Sequence, residues 1–188
     1  MSELGRRAVH ASGAVVPLAH VAGVATWQQV RVVAAAGLAL ALLLEALRLF
    51  VGLDWAIYDR LTREYEQENL AGYALYALSG AAVIWLTPPA VGVPAVLMLA
   101  LGDPVSGLLS SGELRTVKRP RVLVGMFVVC VLLALPFVPP LAAVTGAAGA
   151  TVADGVKPVV AGYVVDDNLT IPPLAAAGLL AGLALVGA

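Results

Sequence analysis

The chain holds 188 residues, 61% of them hydrophobic and 12% charged, with a mean hydropathy of +0.94. A soluble domain carries about 25% charged residues and about 45–50% apolar ones, so a water-soluble globule is excluded on solvation grounds and a bilayer is the expected solvent. A formal charge of −1 and the lack of a long Lys/Arg run exclude nucleic acid as a partner, because nothing here could track phosphates along a strand.

The expected fold is all-α: a single integral membrane domain over residues 1–188, built as a polytopic helical bundle of about six to seven spans. In chain order the apolar runs are Ala8–Trp27, Val30–Gly52, Ala71–Thr87, Val91–Ser111, Val122–Val138, Pro139–Ala153 and Ile171–Ala188. The third, fifth and sixth are short for a hydrocarbon core that asks for about 20 residues, and the sixth could be a re-entrant or broken segment. Pro88/Pro89 and Pro139/Pro140 mark tight connections, since proline ends a helix at the residue before it. Arg6-Arg7 before the first run resembles a signal peptide or a twin-arginine signal. Ser12, Gly13, Pro17 and His20 interrupt the apolar core, however, and further spans follow at once, so a retained first span is expected. Cys130 lies in an apolar run and, as the one cysteine, forms no internal disulfide.

With the amino terminus in the cytoplasm, ten of the eleven Lys/Arg fall on that side and only Arg31 on the other, as the positive-inside rule requires for short loops. A multi-pass protein of the cell membrane is therefore expected, with its polar clusters on the cytoplasmic face. The stretch Gly52–Asn69 interleaves Asp54, Asp59, Arg60, Arg63, Glu64, Glu66 and Glu68 with Trp55, Tyr58 and Tyr65. That spacing fits an amphipathic helix at the membrane surface: a solvated connection, or a guide for a lipid substrate.

Polar groups inside apolar runs cost several kcal/mol each and call for an explanation. Asp103 stands between Gly102 and Pro104, and on a helix Ser106 and Ser110 share its face. A carboxylate among hydroxyls and small residues suits a metal–phosphate site, because Mg²⁺ takes hard oxygen ligands and phosphates need close backbone approach. The same Asp could instead be a packing residue paired with an Arg. Next comes Gly112–Arg121, with Glu113, Arg115, Lys118, Arg119 and Arg121. These cations could clamp a polyphosphate or anchor the chain at anionic headgroups. Asp154 precedes Lys157, and Asp166-Asp167-Asn168 opens the final span ahead of Pro172-Pro173. Two acids and an amide exceed what a helix cap needs, so with Asp103 they could hold one or two divalent ions. His10 and His20, about 80° apart on a helix, make no metal pair and read as packing or hydrogen-bonding residues, while Glu45 and Arg48 read as a local ion pair.

These pieces, in this order, resemble the polyprenol kinase family, which includes dolichol kinase and phytol kinase. The resemblance rests on Arg6-Arg7-Ala8-Val9-His10-Ala11-Ser12-Gly13, on Gly102-Asp103-Pro104-Val105-Ser106-Gly107-Leu108-Leu109-Ser110, and on Asp154 followed by Asp167-Asn168-Leu169-Thr170-Ile171-Pro172. It implies a membrane enzyme that uses CTP to phosphorylate an isoprenoid alcohol at the cytoplasmic face. Where the family has Gly this chain has Ser110, and no glutamate follows Lys118.

On that resemblance the site is formed by about 102–121 and 154–173. Asp103, Asp167 and Asn168 would hold Mg²⁺ or another divalent cation. Gly102, Ser106, Ser110, Arg115, Lys118 and Arg119 would bind the nucleotide, and Asp166 or Asp154 would orient or deprotonate the alcohol. No phosphate-binding loop of the G-x-x-x-x-G-K-[ST] kind is present. The expected partners are the bilayer, a nucleotide and an isoprenoid alcohol, and a homo-oligomer is compatible with the sequence. Two other readings use the same residues. One is a cytidylyltransferase, which would release pyrophosphate instead of CDP. The other is a small transporter, which would set its acids face to face near the midplane.

Overall fold

In a computed structural model the regular structure among the described residues is helical apart from one antiparallel pair of two-residue strands. The structure describes residues 3–52, 55, 58, 62, 69–110, 117–156, 158–160 and 163–187. The expected surface helix at 52–69 falls almost wholly outside them, as do Glu113, Arg115 and Lys157. The elements are α1 (Glu3–Ser12), α2 (Val15–Val21), α3 (Trp27–Val51), α4 (Gly72–Leu86), α5 (Pro89–Leu109), α6 (Pro120–Ala134), α7 (Pro140–Gly155), β1 (Val159–Val160), β2 (Tyr163–Val164) and α8 (Asp167–Val186).

Three of these helices, α3, α5 and α8, are long and apolar enough to cross a membrane, and α4 and α6 are shorter apolar helices. The first expected span is not one helix. α1 and α2 are separate, broken where Gly13 lets the Tyr76 hydroxyl come so near that a side chain there would collide with it. The sixth run, a short candidate span that could have been re-entrant or broken, is the continuous 16-residue helix α7, about 24 Å long at 1.5 Å per residue.

α5 is the central post. Within its most apolar stretch 72% of the residues are buried, against 17% for α3, which lies at the periphery. The interior is built largely of small side chains, with Ala95, Ala134, Ala142, Ala147, Ala150 and Ala175 around Met98, Leu99, Met126 and Leu179. Large apolar side chains such as Val32, Leu40, Leu43, Phe50, Leu132 and Leu185 point outward, while Glu45, Ser106, Asp154, Asp167 and Asn168 are buried. Helices of this kind gain little from sequestering apolar groups and associate instead by close packing of small residues.

The α7–α8 contact is the most extensive in the fold, and its closeness depends on glycine. A Cβ on Gly178 would stand 2.3 Å from the Thr145 carbonyl oxygen, and one on Gly149 would stand 2.3 Å from that of Leu174. The two helices run antiparallel, so the carboxyl end of α7, with Asp154, meets the amino end of α8, with Asp167. At the same end α3 is joined to α4 through buried Glu45. Its carboxylate accepts from Arg48 Nη2 at 2.6 Å, from the Tyr73 hydroxyl and from the Ala71 N–H at 3.0 Å. The ion pair expected for Glu45 and Arg48 is therefore present, inside a wider buried network. Arg31 lies at the opposite end, over the Trp85 ring with its Nε donating to the Ile84 carbonyl.

Candidate functional site

Proline shapes both acidic motifs. The segment of α5 before Asp103 is a π turn, Met98–Gly102, in which each N–H reaches five residues back. The nitrogen that would serve the Leu99 carbonyl is that of Pro104, which bears no hydrogen. His10 takes its place, its Nε2 donating to Leu99 O at 3.1 Å. α8 repeats the device. Pro172 cannot donate to the Asn168 carbonyl four residues earlier, and the Ser79 hydroxyl of α4 donates there instead at 2.5 Å. These two external donors tie α1 to α5 and α4 to α8 within one turn of Asp103 and Asp167.

Asp154, at the end of α7, is fully buried and bonded twice. Lys118 Nζ donates to its Oδ1 at 2.6 Å and the Ser106 hydroxyl to its Oδ2 at 2.7 Å. Lys118 Nζ also reaches Ser106 Oγ at 3.0 Å. The lysine is held there by its backbone, since its N–H donates to Gly155 O at 3.1 Å and Val117 bridges Val156.

Around this pair the carboxylates of Asp103, Asp154 and Asp167 come together, each offering an oxygen within 4.8 Å of the others. Like charges at that spacing repel by about 3 kcal/mol per pair at an effective dielectric of about 20. Lys118 offsets one unit of charge, and His10 Nε2 stands 3.7 Å from Asp103 Oδ2. The donors are hard oxygens on three helices. Beside Asp167, the buried Oδ1 of Asn168 has no hydrogen-bond partner among the described residues. A set of carboxylates with one spare amide oxygen fits a hard divalent cation and offers nothing to a soft one.

The residues expected to form the site are thus partly gathered. Asp103, Asp167, Lys118 and Ser106 converge, with Asn168 adjoining. Ser110 donates to the Ser106 carbonyl at 3.0 Å and supports the helix end. Asp166 caps α8, its Oδ1 accepting from the Asn168 N–H at 2.9 Å and from Nδ2 at 2.7 Å. Gly102 serves packing: a Cβ there would come 3.1 Å from the Met126 sulfur and 3.2 Å from that of Cys130, so its bareness admits α6. Arg119 stands at the N-cap of α6, and Arg115 lies outside the described residues.

Three more residues belong to this neighbourhood. Asp154, one of two acids expected to orient or deprotonate the alcohol, is part of the acidic cluster and the partner of Lys118. His10 is hydrogen-bonded, as a packing or hydrogen-bonding residue should be, and it also lies against Asp103. Arg7 donates from Nη2 to the Gly107 carbonyl at 3.0 Å, one turn beyond Asp103. Glycine spacing at 146, 149, 178 and 182 was the available signal for Asp154, because it implies a close α7–α8 pair with Asp154 and Asp167 at one end. For His10 the signal was the carbonyl orphaned by Pro104.

Removing one partner of the buried pair tests its role. Lys118→Met leaves Asp154 buried without its cation and is expected to destabilise the protein by about 3–5 kcal/mol. Adding Asp154→Asn should recover most of that loss, as read by denaturation in detergent micelles. The chain matches no protein-family model, no curated protein and no solved structure.

Proposed function

We propose that this chain is a polytopic membrane enzyme that transfers the γ-phosphoryl group of CTP to an isoprenoid alcohol at the cytoplasmic face. The observation that carries the reading is the convergence of Asp103, Asp154 and Asp167 beside Lys118 at one end of the bundle. CTP and the alcohol come from the motif resemblance to the polyprenol kinases. The chemistry comes from the residues. Phosphoryl transfer is chiefly a matter of positioning and charge neutralisation, so a site made of carboxylates, a lysine and hydroxyls is chemically sufficient.

The membrane setting is supported by a surface rich in large apolar side chains around a buried polar network. α1 and α2 together, then α3 to α8, would make seven crossings. The described end of the bundle that carries the acids also carries Arg7, Arg48, Lys118 and Arg119, and Arg31 lies at the other. Under the positive-inside rule that end is cytoplasmic, and so is the amino terminus.

Asp103 and Asp167, with the Asn168 amide oxygen, would hold Mg²⁺, which when bound supplies the neutralising charge for the phosphates. Lys118, fixed by Asp154 and Ser106, presents its ammonium to the same space, and Arg119 follows it in sequence. Asp154 thereby acts as an orienting partner of the lysine, and Asp166 shapes the amino end of α8. The lipid tail remains among the helices, so only its hydroxyl need reach the acids. Asp154 and Asp167 lie at helix ends beside a lysine, with Asp103 reaching them from inside α5, which favours an enzyme over a transporter with an ion path at the midplane.

The test uses purified protein in lipid or detergent with γ-labelled CTP, Mg²⁺ and a panel of isoprenoid alcohols. Label in the lipid with release of CDP supports the kinase reading. Pyrophosphate release with a lipid phosphate as acceptor would make the protein a cytidylyltransferase, and no transfer from any nucleotide to any alcohol would end the kinase reading.

A further inference from the structure

His10 Nε2 faces two oxygens, the Leu99 carbonyl at 3.1 Å and Asp103 Oδ2 at 3.7 Å. A carbonyl cannot donate, so Nε2 carries the hydrogen and donates it to Leu99 O, while Asp103 Oδ2 lies beside the same nitrogen at ion-pair distance. The ring is set from the other side by Tyr76, whose ring meets it edge-on at 4.8 Å between centroids and whose hydroxyl donates to the His10 carbonyl at 3.4 Å. Gly13 is what admits Tyr76 there. A histidine whose only task was to replace the missing proline N–H would need the Leu99 contact alone. His10 instead spans the orphaned carbonyl and the carboxylate four residues later.

From this geometry we infer that His10 is a positioning residue: its Nε2–H pins the π turn before Asp103 and aims the Asp103 carboxylate into the acidic cluster. This rests on the reading of Asp103 as a divalent-cation ligand. Partners of this kind typically contribute 10- to 100-fold to metal affinity without touching the metal.

The experiment measures Mn²⁺ binding to the detergent-purified full chain by the loss of the free-ion electron paramagnetic resonance signal. His10→Gln, which keeps a side-chain N–H at about the reach of Nε2, is expected to bind within about threefold of the unaltered protein. His10→Leu, which fills the space without a donor, is expected to bind about 10- to 100-fold more weakly. Pro104→Ala separates the two duties, because a residue with an N–H at 104 can serve the backbone itself. In that background His10→Leu should recover thermal stability and still bind Mn²⁺ at least 10-fold more weakly than Pro104→Ala alone. Full recovery of affinity there would overturn the inference and leave His10 a backbone plug, as would unaltered Mn²⁺ binding by His10→Leu. Asp103→Asn is the control for the underlying reading. If it binds Mn²⁺ as tightly as the unaltered chain, Asp103 is no ligand and the inference falls with that reading. Loss in Asp103→Asn with no loss in His10→Leu defeats the inference alone.

Discussion

Asp167→Asn is expected to abolish the proposed phosphoryl transfer, by on the order of 10³-fold or more, and to leave the metal-free protein at least as stable as before. The two halves of this result have one cause. Three carboxylates within 4.8 Å of one another store repulsion that a divalent cation would relieve. Neutralising one acid lowers the repulsion and removes a ligand in the same step. Asp103→Asn should behave alike. Asp154→Asn should not, because its carboxylate accepts from Lys118 at 2.6 Å and from Ser106 at 2.7 Å, and its loss leaves the lysine facing an amide. Its transfer activity should fall as far, and its stability should fall too. Thermal unfolding with and without Mg²⁺ checks the scheme. Saturating metal at about 100 times its dissociation constant stabilises by about 2.7 kcal/mol, so the unaltered protein should gain and Asp103→Asn and Asp167→Asn should gain little. Equal Mg²⁺ stabilisation of all four proteins would defeat the assignment of these acids as ligands.

Much of the architecture was legible in the chain because apolar runs and proline breaks are local signals. α3, α4, α5, α6 and α8 fall where the hydrophobic runs put them. The division of the first run into α1 and α2 was not legible, because it goes with a tertiary contact: Tyr76, more than sixty residues away, occupies the space above Gly13. In the site, Asp103, Ser106, Lys118 and Asp167 could be chosen from residue type and from cost, since a charge in an apolar run must be compensated. Their grouping could not. Asp154 was visible as an acid, but that it meets Lys118 depends on a backbone bridge at 117 and 156 and on the seam between α7 and α8. Gly102 looked like room for phosphate and proved to be room for Met126 and Cys130, a distinction that only the neighbouring helix decides.

That seam yields the other large effect. Gly178→Ala, a change that in an exposed helix interior stabilises by about 1 kcal/mol, is expected here to destabilise by about 1–3 kcal/mol or more. The new Cβ would stand 2.3 Å from the Thr145 carbonyl oxygen and 2.8 Å from its carbon, and backbone atoms cannot turn aside as a side chain can. The helices must separate, and Gly178→Leu should drive them apart further. Asp154 and Asp167 sit on opposite sides of the seam at its end, so separation widens the distance between two of the three carboxylates. Divalent-cation stabilisation should therefore weaken in Gly178→Ala although no acid has been altered. Gly37→Ala on α3 is the matched control. Nothing lies within 4 Å of a Cβ at that position, so it should show the helix-propensity gain and keep its response to Mg²⁺. If Gly178→Ala and Gly37→Ala unfold at the same temperature, the close α7–α8 packing is not what brings the acids together.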